Sequence, residues 1–80
     1  MKTVREQFEI QCKRAAMVSY NCGITVDVVL VRHRNGDATR VSVLNNAIPR
    51  AAYELWRKDS NVRLLCTYTN GVRDAKPVII

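Results

Sequence analysis

The sequence predicts an α+β domain in which two β-hairpins and two helices follow one another in the order α-β-β-α-β-β. Two Asn-Gly pairs, Asn35-Gly36 and Asn70-Gly71, each separate two runs of alternating apolar residues, which is the strongest local signal of a hairpin. Apolar residues at three- and four-residue spacing precede the first hairpin, and a shorter run of this kind separates the hairpins. The simplest assembly is a four-stranded antiparallel sheet with both helices packed on one face. The strand order stays open.

Length and composition limit the chain to a single domain, residues 1–80. At 80 residues it is close to the lower limit for a core that folds without disulfides or metals. Hydrophobic residues make up 48%, which is too many for a disordered chain. The formal net charge of +6 favours anionic partners such as nucleic acid or an acidic protein surface, although small proteins also carry such charge for solubility alone.

A capping box begins the first helix, because Thr3 can accept a hydrogen bond from the amide of Glu6, whose side chain can reach back. Behind it, a stripe of apolar and small residues predicts a helix of about four to five turns with one buried side: Val4, Phe8, Cys12, Ala15 and Ser19. Ala16 and Met17 widen this stripe near its end. Gly23 can adopt the left-handed conformation and so ends the helix.

Residues 24–44 predict the first hairpin and its register. If Asn35-Gly36 forms the turn, residues whose numbers sum to 71 face each other, so that Leu30 faces Val41 and Val28 faces Val43. One face is then apolar and should pack on the core: Ile24, Val26, Val28, Leu30, Val41 and Val43. The opposite face is mixed: Thr25, Asp27, Val29, Val31, His33, Ala38, Arg40, Ser42 and Leu44. A slip by one residue would exchange the two faces, so burial of the apolar face fixes the register.

A second, shorter helix is predicted between the hairpins. Asn45-Asn46 can end the second strand and cap this helix, and Pro49 suits its first turn, where no amide donor is needed. The residues of its apolar side are Ile48, Ala52, Leu55 and Trp56. The turn-forming residues Asp59-Ser60-Asn61 should end it.

The second hairpin extends from Val62 to Ile79, with Asn70-Gly71 as its turn and facing residues whose numbers sum to 141. Alternation places the following residues on its core side: Val62, Leu64, Cys66, Tyr68, Ala75, Pro77 and Ile79. Because Pro77 has no amide hydrogen to donate to a ladder, the last strand should lie at an edge of the sheet.

The tip of the first hairpin is the strongest candidate for a binding site. Several cations surround a single acid, Asp37, at this tip: Arg32, His33, Arg34 and Arg40. A two-stranded ribbon can enter a nucleic-acid groove, and the planar guanidinium fork suits phosphate or guanine. The alternative is that these residues only face water at the end of a strand.

The second helix supplies another candidate surface. Arg57 and Lys58 follow Trp56, with Tyr53 one turn earlier. An exposed Trp beside cations can stack on a base or anchor a protein interface. The alternative is that Trp56 fills the core against the sheet.

Neither a metal site nor a catalytic site is predicted, so the chain is expected to be a binding protein without a cofactor. The potential zinc ligands have spacings that match no structural zinc site: Cys12, Cys22, Cys66 and His33. Ser42 lies several residues along the strand from His33, out of hydrogen-bond reach, so a catalytic triad is not expected. The three glycines stand singly, which excludes a Gly-rich phosphate loop.

Cysteine usage and the N-terminal residues predict a cytoplasmic protein without membrane attachment. The three cysteines match no disulfide framework, and the first residues are too charged for a signal peptide. No apolar run approaches the roughly 20 residues of a membrane span.

These observations predict a small basic binding module, for DNA or RNA in the first place, that acts through the hairpin tip and the basic side of the second helix. The alternative is a small protein-binding inhibitor or adaptor, of the kind that viruses and mobile elements encode, which acts on a larger host protein through a sheet edge or Trp56. The chain is expected to be a monomer or a homodimer, since small cores often grow by association.

Overall fold

A computed structural model describes residues 2–33, 39–45, 60–75 and 78 of the chain. These residues form one helix and four strands: α1 (Val4–Cys22), β1 (Thr25–His33), β2 (Arg40–Asn45), β3 (Ser60–Thr69) and β4 (Val72–Arg73). All neighbouring strands are antiparallel, in the order β2-β1-β3-β4, so β1 and β3 are central. The α+β class and the four-stranded antiparallel sheet are confirmed. The second predicted helix falls within residues 46–59, which lie outside the described part of the chain.

The two ends of α1 are formed by the residues that the sequence indicates. The amide of Glu6 donates to the Oγ1 of Thr3 over 3.1 Å, and the Glu6 carboxylate accepts from the amide of Thr3, which completes the capping box. Gly23 follows the last turn with a φ of 65°, in the left-handed region. Both end signals are therefore confirmed.

The buried side of α1 is narrower than predicted. Phe8, Ala15 and Ser19 are buried, but Met17 is 59% exposed. Since each residue turns the helix by about 100°, Met17 lies about 200° away from both Ala15 and Ser19. The prediction that Met17 extends the buried stripe is wrong.

The predicted register of the first hairpin is confirmed, because β1 and β2 pair Val28 with Val43 and Leu30 with Val41. The turn Asn35-Gly36 itself lies outside the described residues. The face toward α1 contributes Val26, Val28 and Val41 to the core, with Ile24, Leu30 and Val43 packed against it. Val29 and Val31 on the opposite face are also fully buried, so β1 is buried on both sides. An uninterrupted apolar run such as residues 28–31 is typical of a strand buried on both faces.

A β-bulge interrupts the pairing of β1 with β3. Val28 pairs with Cys66, and the next residue, Val29, pairs with Leu64, so Leu65 is an extra residue in β3. A bulge of this kind shifts the alternation of side chains by one residue from that point on. Leu65 and Cys66 are both buried in the core under α1.

The bulge overturns part of the predicted core side of the second hairpin, on which Val62, Leu64, Cys66 and Tyr68 were expected together. Cys66 and Tyr68 pack toward α1, as predicted. Leu64 pairs with Val29 on the opposite face and is 52% exposed. In its place, Arg63 pairs with Leu30 on the face that α1 covers in part.

The turn of the second hairpin is confirmed, but its last strand is shorter than predicted. Asn70 and Gly71 have φ angles of 50° and 83°, as a type I′ turn requires, and Thr69 pairs with Val72. After Arg73 the amide of Asp74 donates to the carbonyl of Thr67 over 2.9 Å. The amide of Thr67 donates to the side-chain Oδ1 of Asp74 over 3.3 Å and not to a backbone carbonyl. Because this side chain replaces a backbone acceptor, the regular pairing stops and β4 ends.

The residues after β4 leave the predicted strand. Ala75, expected on the core side, is exposed, and Val78 packs against the core. Pro77 and Ile79 lie outside the described residues. β4 is nevertheless an edge strand, as predicted.

Two hydrogen bonds fix how α1 lies across the sheet. Near its start the Oε1 of Gln7 accepts from the amide of Val41 in β2 over 3.0 Å. Near its end the Oγ of the fully buried Ser19 accepts from the amide of Gly71 over 2.9 Å and donates to the carbonyl of Ala16. The helix therefore crosses the sheet diagonally, from the edge strand β2 to the β3–β4 turn. This path leaves the corner of the sheet at the start of β3 uncovered by α1.

Candidate anion-binding site

A shallow concavity of about 230 Å³ lies at that corner of the sheet. The described residues that line it are Leu30 and Arg32 of β1 and Asn61 and Arg63 of β3. Leu30 is partly buried and packs against the core, whereas the other three are exposed. The site thus has an apolar floor and a polar, cationic rim.

The β1–β3 ladder determines how these four side chains are arranged. Leu30 pairs with Arg63, and two residues further along Arg32 pairs with Asn61, so all four share one face. Arg32 and Arg63 are therefore diagonal neighbours. The Cα atoms of such neighbours are roughly 7–8 Å apart, within reach of long side chains. Two guanidinium groups can consequently approach the same anion from two sides.

The charges of the described residues are distributed unevenly along the sheet. The carboxylates of Asp27 and Asp74 both accept hydrogen bonds from Thr67. Thr67 pairs with Asp27, five residues and about 16 Å along β1 from Arg32. At the other end, Gln7 contacts Val41 in the row of Leu30, so the first turn of α1, which carries both Arg5 and Glu6, lies at the same end as the concavity. Among the described residues that line the concavity, the charged ones are both cations, Arg32 and Arg63.

The structure brings only one of the sequence-predicted binding residues into this site, namely Arg32. Arg40 pairs with Val31, so it lies on the opposite face of the sheet from Arg32, and the two do not form one cluster. His33 pairs with Ser60 at the end of the β1–β3 ladder. The other predicted binding residues lie outside the described part of the chain: Arg34, Tyr53, Trp56, Arg57 and Lys58. Their roles stay predictions.

Sequence reasoning missed Arg63 and Asn61. Simple alternation through β3 places Arg63 on the face away from the core, and the bulge at Leu65 reverses that assignment. One local signal was present, since the apolar pair Leu64-Leu65 breaks the alternation of the strand. To find Arg63 from the sequence, one would also have to know which strand β3 pairs with, because only its pairing with β1 places Arg63 beside Arg32.

A group of thiol and phenol side chains lies under α1, further along β3 than the residues that line the concavity. Burial raises the pKa of the Cys66 thiol from 9.0 to about 12, and the neighbouring Cys12 adds to this shift. Burial and Cys12 also raise the pKa of Tyr68 to about 12. The stability that the protonated Cys66 thiol provides is therefore fully present below about pH 9 and is lost as the pH rises toward 12.

Cys66 is consequently expected to behave as an inert core residue. Brief treatment of the native protein with iodoacetamide at about pH 8 should alkylate the exposed Cys22 and leave Cys66 unmodified, because only an accessible thiolate reacts. Mass spectrometry of peptides measures the extent at each cysteine. The same reaction in guanidinium chloride is the control and should modify all three cysteines. Equal rates at Cys22 and Cys66 in the native protein would contradict this assignment.

Within the described residues, no group of three or more His, Cys, Asp or Glu side chains could hold a metal ion. The one described helix is not apolar enough to cross a membrane.

Comparison with protein-family models, with curated proteins and with solved structures finds no match to this chain.

Proposed function

We propose that this chain is a small, non-enzymatic module that binds nucleic acid, and that Arg32 and Arg63 hold a backbone phosphate. The observation that carries the proposal is the diagonal placement of two exposed arginines over one concavity. The guanidinium group is always charged and offers a planar fork that matches phosphate oxygens. Two such groups beside one concavity suit an anion better than a neutral ligand.

The size of the concavity supports a phosphate-bearing polymer over a free metabolite. At about 230 Å³ it is smaller than the roughly 300–1,000 Å³ of pockets that enclose a drug-sized ligand. A site of this size contacts a fragment of a ligand, and the rest of the affinity has to come from outside it. The formal net charge of +6 can supply that remainder through electrostatic attraction along a polyanion.

The remaining cations of the first hairpin tip and of the segment before β3 belong to the same proposal. They are His33, Arg34, Arg40, Arg57 and Lys58. Within it they contact further phosphates of the same polymer and so add affinity without sequence preference. A module of this kind needs no cofactor.

The proposed function is tested by fluorescence anisotropy with labelled nucleic acid at about 50 and 200 mM salt. Each phosphate that the protein neutralises should lower the affinity roughly 3.5-fold across that range, so the phosphate held by Arg32 and Arg63 and those held by the remaining cations should together lower it about tenfold or more. A labelled neutral polymer of similar mass serves as the control and should not bind. Absence of binding to DNA and to RNA at the lower salt concentration would overturn the proposal.

A protein partner is the second candidate, and one observation favours it. The outer side of α1 exposes Ile10, Met17 and Tyr20, with exposed fractions of 59% for Met17 and 73% for Tyr20. Lys13 and Arg14 lie on the same stretch of helix. Such a mixed apolar and basic surface suits an acidic protein. The anchors that the sequence predicted, Trp56 and Tyr53, lie outside the described residues. This candidate takes precedence if no nucleic acid binds.

A further inference from the structure

We infer that the concavity binds single-stranded nucleic acid, with one phosphate between Arg32 and Arg63 and the adjoining base against Leu30. This inference rests on the proposed function and adds to it the class of nucleic acid.

The four lining side chains divide into two chemically different pairs. Arg32 and Arg63 occupy one diagonal of the site, and Leu30 and Asn61 occupy the other. A phosphate can bind the two arginines of the first diagonal, but it makes no suitable contact with Leu30 and Asn61. The second diagonal calls for a group with an apolar face, for Leu30, and a polar edge, for the Asn61 amide. A nucleobase has both, because its ring face is apolar and its edge carries hydrogen-bond donors and acceptors.

The depth of Leu30 distinguishes a single strand from a duplex. Leu30 is partly buried at the floor, and the exposed side chains of Arg32, Asn61 and Arg63 surround it. In a duplex the ring faces are stacked on one another, so a protein meets phosphates and base edges only. A base that reaches Leu30 with its ring face has to be unstacked. Unpaired strands present such bases without the cost of opening a helix.

The rim of the concavity can hold an unstacked base as well as a phosphate. Guanidinium planes stack on bases, and flat β-sheet surfaces are common platforms for bases of single strands. Arg32 and Arg63 therefore have two modes of contact, through their edges to phosphate and through their planes to the base. The volume of about 230 Å³ limits the contact to about one nucleotide at this corner.

The experiment compares three labelled probes of one sequence, each of about 12 nucleotides, a length within the range that single-strand-binding domains cover. They are an intact single strand, the corresponding duplex, and a single strand whose bases are removed while its phosphates are kept. The intact strand should bind about tenfold or more tightly than either of the others, because only its bases are free to stack on the site. DNA and RNA versions of the single strand show whether the sugar matters.

The outcomes separate this inference from the proposed function. If the duplex or the abasic strand binds as tightly as the intact strand, the single-strand inference is wrong and nucleic-acid binding stands. If no probe binds, both are wrong.

An Asn61→Ala variant tests the base contact from the protein side. Asn61 is exposed, so the exchange should leave the fold intact. It should weaken binding of the intact strand by about three- to tenfold, as expected for a lost hydrogen bond, and should not affect the abasic strand. Equal losses with both strands would overturn the assignment of Asn61 to the base.

Discussion

Gly71→Ala is expected to lower the free energy of unfolding by about 2–4 kcal/mol, which is a large share of the stability of so small a domain. Gly71 has a φ of 83°, where an L-residue is strained by roughly 1–2 kcal/mol. A Cβ atom at this position would lie 3.2 Å from the Cβ of Tyr20, which is fixed to the backbone of α1 and cannot rotate away. The turn would therefore have to move away from the helix.

That movement adds a second cost. The amide of Gly71 donates to the Oγ of Ser19 over 2.9 Å, and Ser19 is completely buried. Lengthening this bond weakens the hydrogen bond to the buried Oγ of Ser19. Complete loss of such a bond to a buried polar group costs about 1–3 kcal/mol. Strain and the weakened bond act together at one turn.

The chain contains a matched control for the strain alone. Gly23 has a φ of 65°, also in the left-handed region, but a Cβ atom there would meet nothing within 4 Å. Gly23→Ala should therefore cost only about 1–2 kcal/mol. Urea unfolding followed by circular dichroism measures both variants. Equal losses for the two glycines would show that the contact of the turn with α1 contributes little.

A Ser19→Ala background isolates the hydrogen bond. Once the Oγ is absent, moving the turn no longer weakens that bond, so the extra loss caused by Gly71→Ala should shrink. This contact matters for the site because it directs α1 toward the β3–β4 turn. The corner with Leu30 and Arg63 is left open by that direction.

The features that sequence analysis predicted correctly are those that depend on neighbours in the chain. The capping box at Thr3 and the left-handed Gly23 each need only a few adjacent residues. The turn at Asn70-Gly71 and the register of the first hairpin follow from the same kind of local rule. The α+β class could be predicted because it follows from these locally encoded helix ends and hairpins.

The features that it predicted wrongly depend on contacts between distant segments. The bulge at Leu65 arises where β3 has to match β1, and no Gly or Pro marks it. The early end of β4 depends on the side chain of Asp74 reaching the amide of Thr67. Only the assembled sheet could place Arg63 beside Arg32, so half of the cationic pair in the candidate site was not predicted.

The double exchange Arg32→Ala with Arg63→Ala is expected to weaken nucleic-acid binding by about 100-fold at low salt. Each charged hydrogen bond to phosphate contributes on the order of 1.5 kcal/mol or more, and two of them are removed. The dependence of log affinity on log salt concentration should become shallower by about 1, since the two arginines share one phosphate and about one counterion is released per phosphate neutralised. Anisotropy titrations of the same probe over a range of salt concentrations give both values.

A second double exchange, Lys13→Ala with Arg14→Ala, removes the same amount of charge from the exposed side of α1. If the general field of the protein alone attracts nucleic acid, both double variants should lose the same affinity. If the concavity is the site, the Lys13 and Arg14 variant should lose only a few-fold, because it removes a long-range and screened attraction. Equal losses would contradict the site while leaving electrostatic binding in place.

Arg40→Ala completes the test, because Arg40 lies on the opposite face of the sheet from Arg32. Within the proposed function Arg40 contacts a further phosphate, so this exchange should weaken binding a few-fold, whereas a strand held at the concavity alone would be insensitive to it. Urea unfolding of every variant checks that the arginines and lysine act on binding and not on the fold. If the Arg32 and Arg63 double variant loses most of its affinity and the Arg40 variant loses little, the bound strand lies on the α1 side of the sheet.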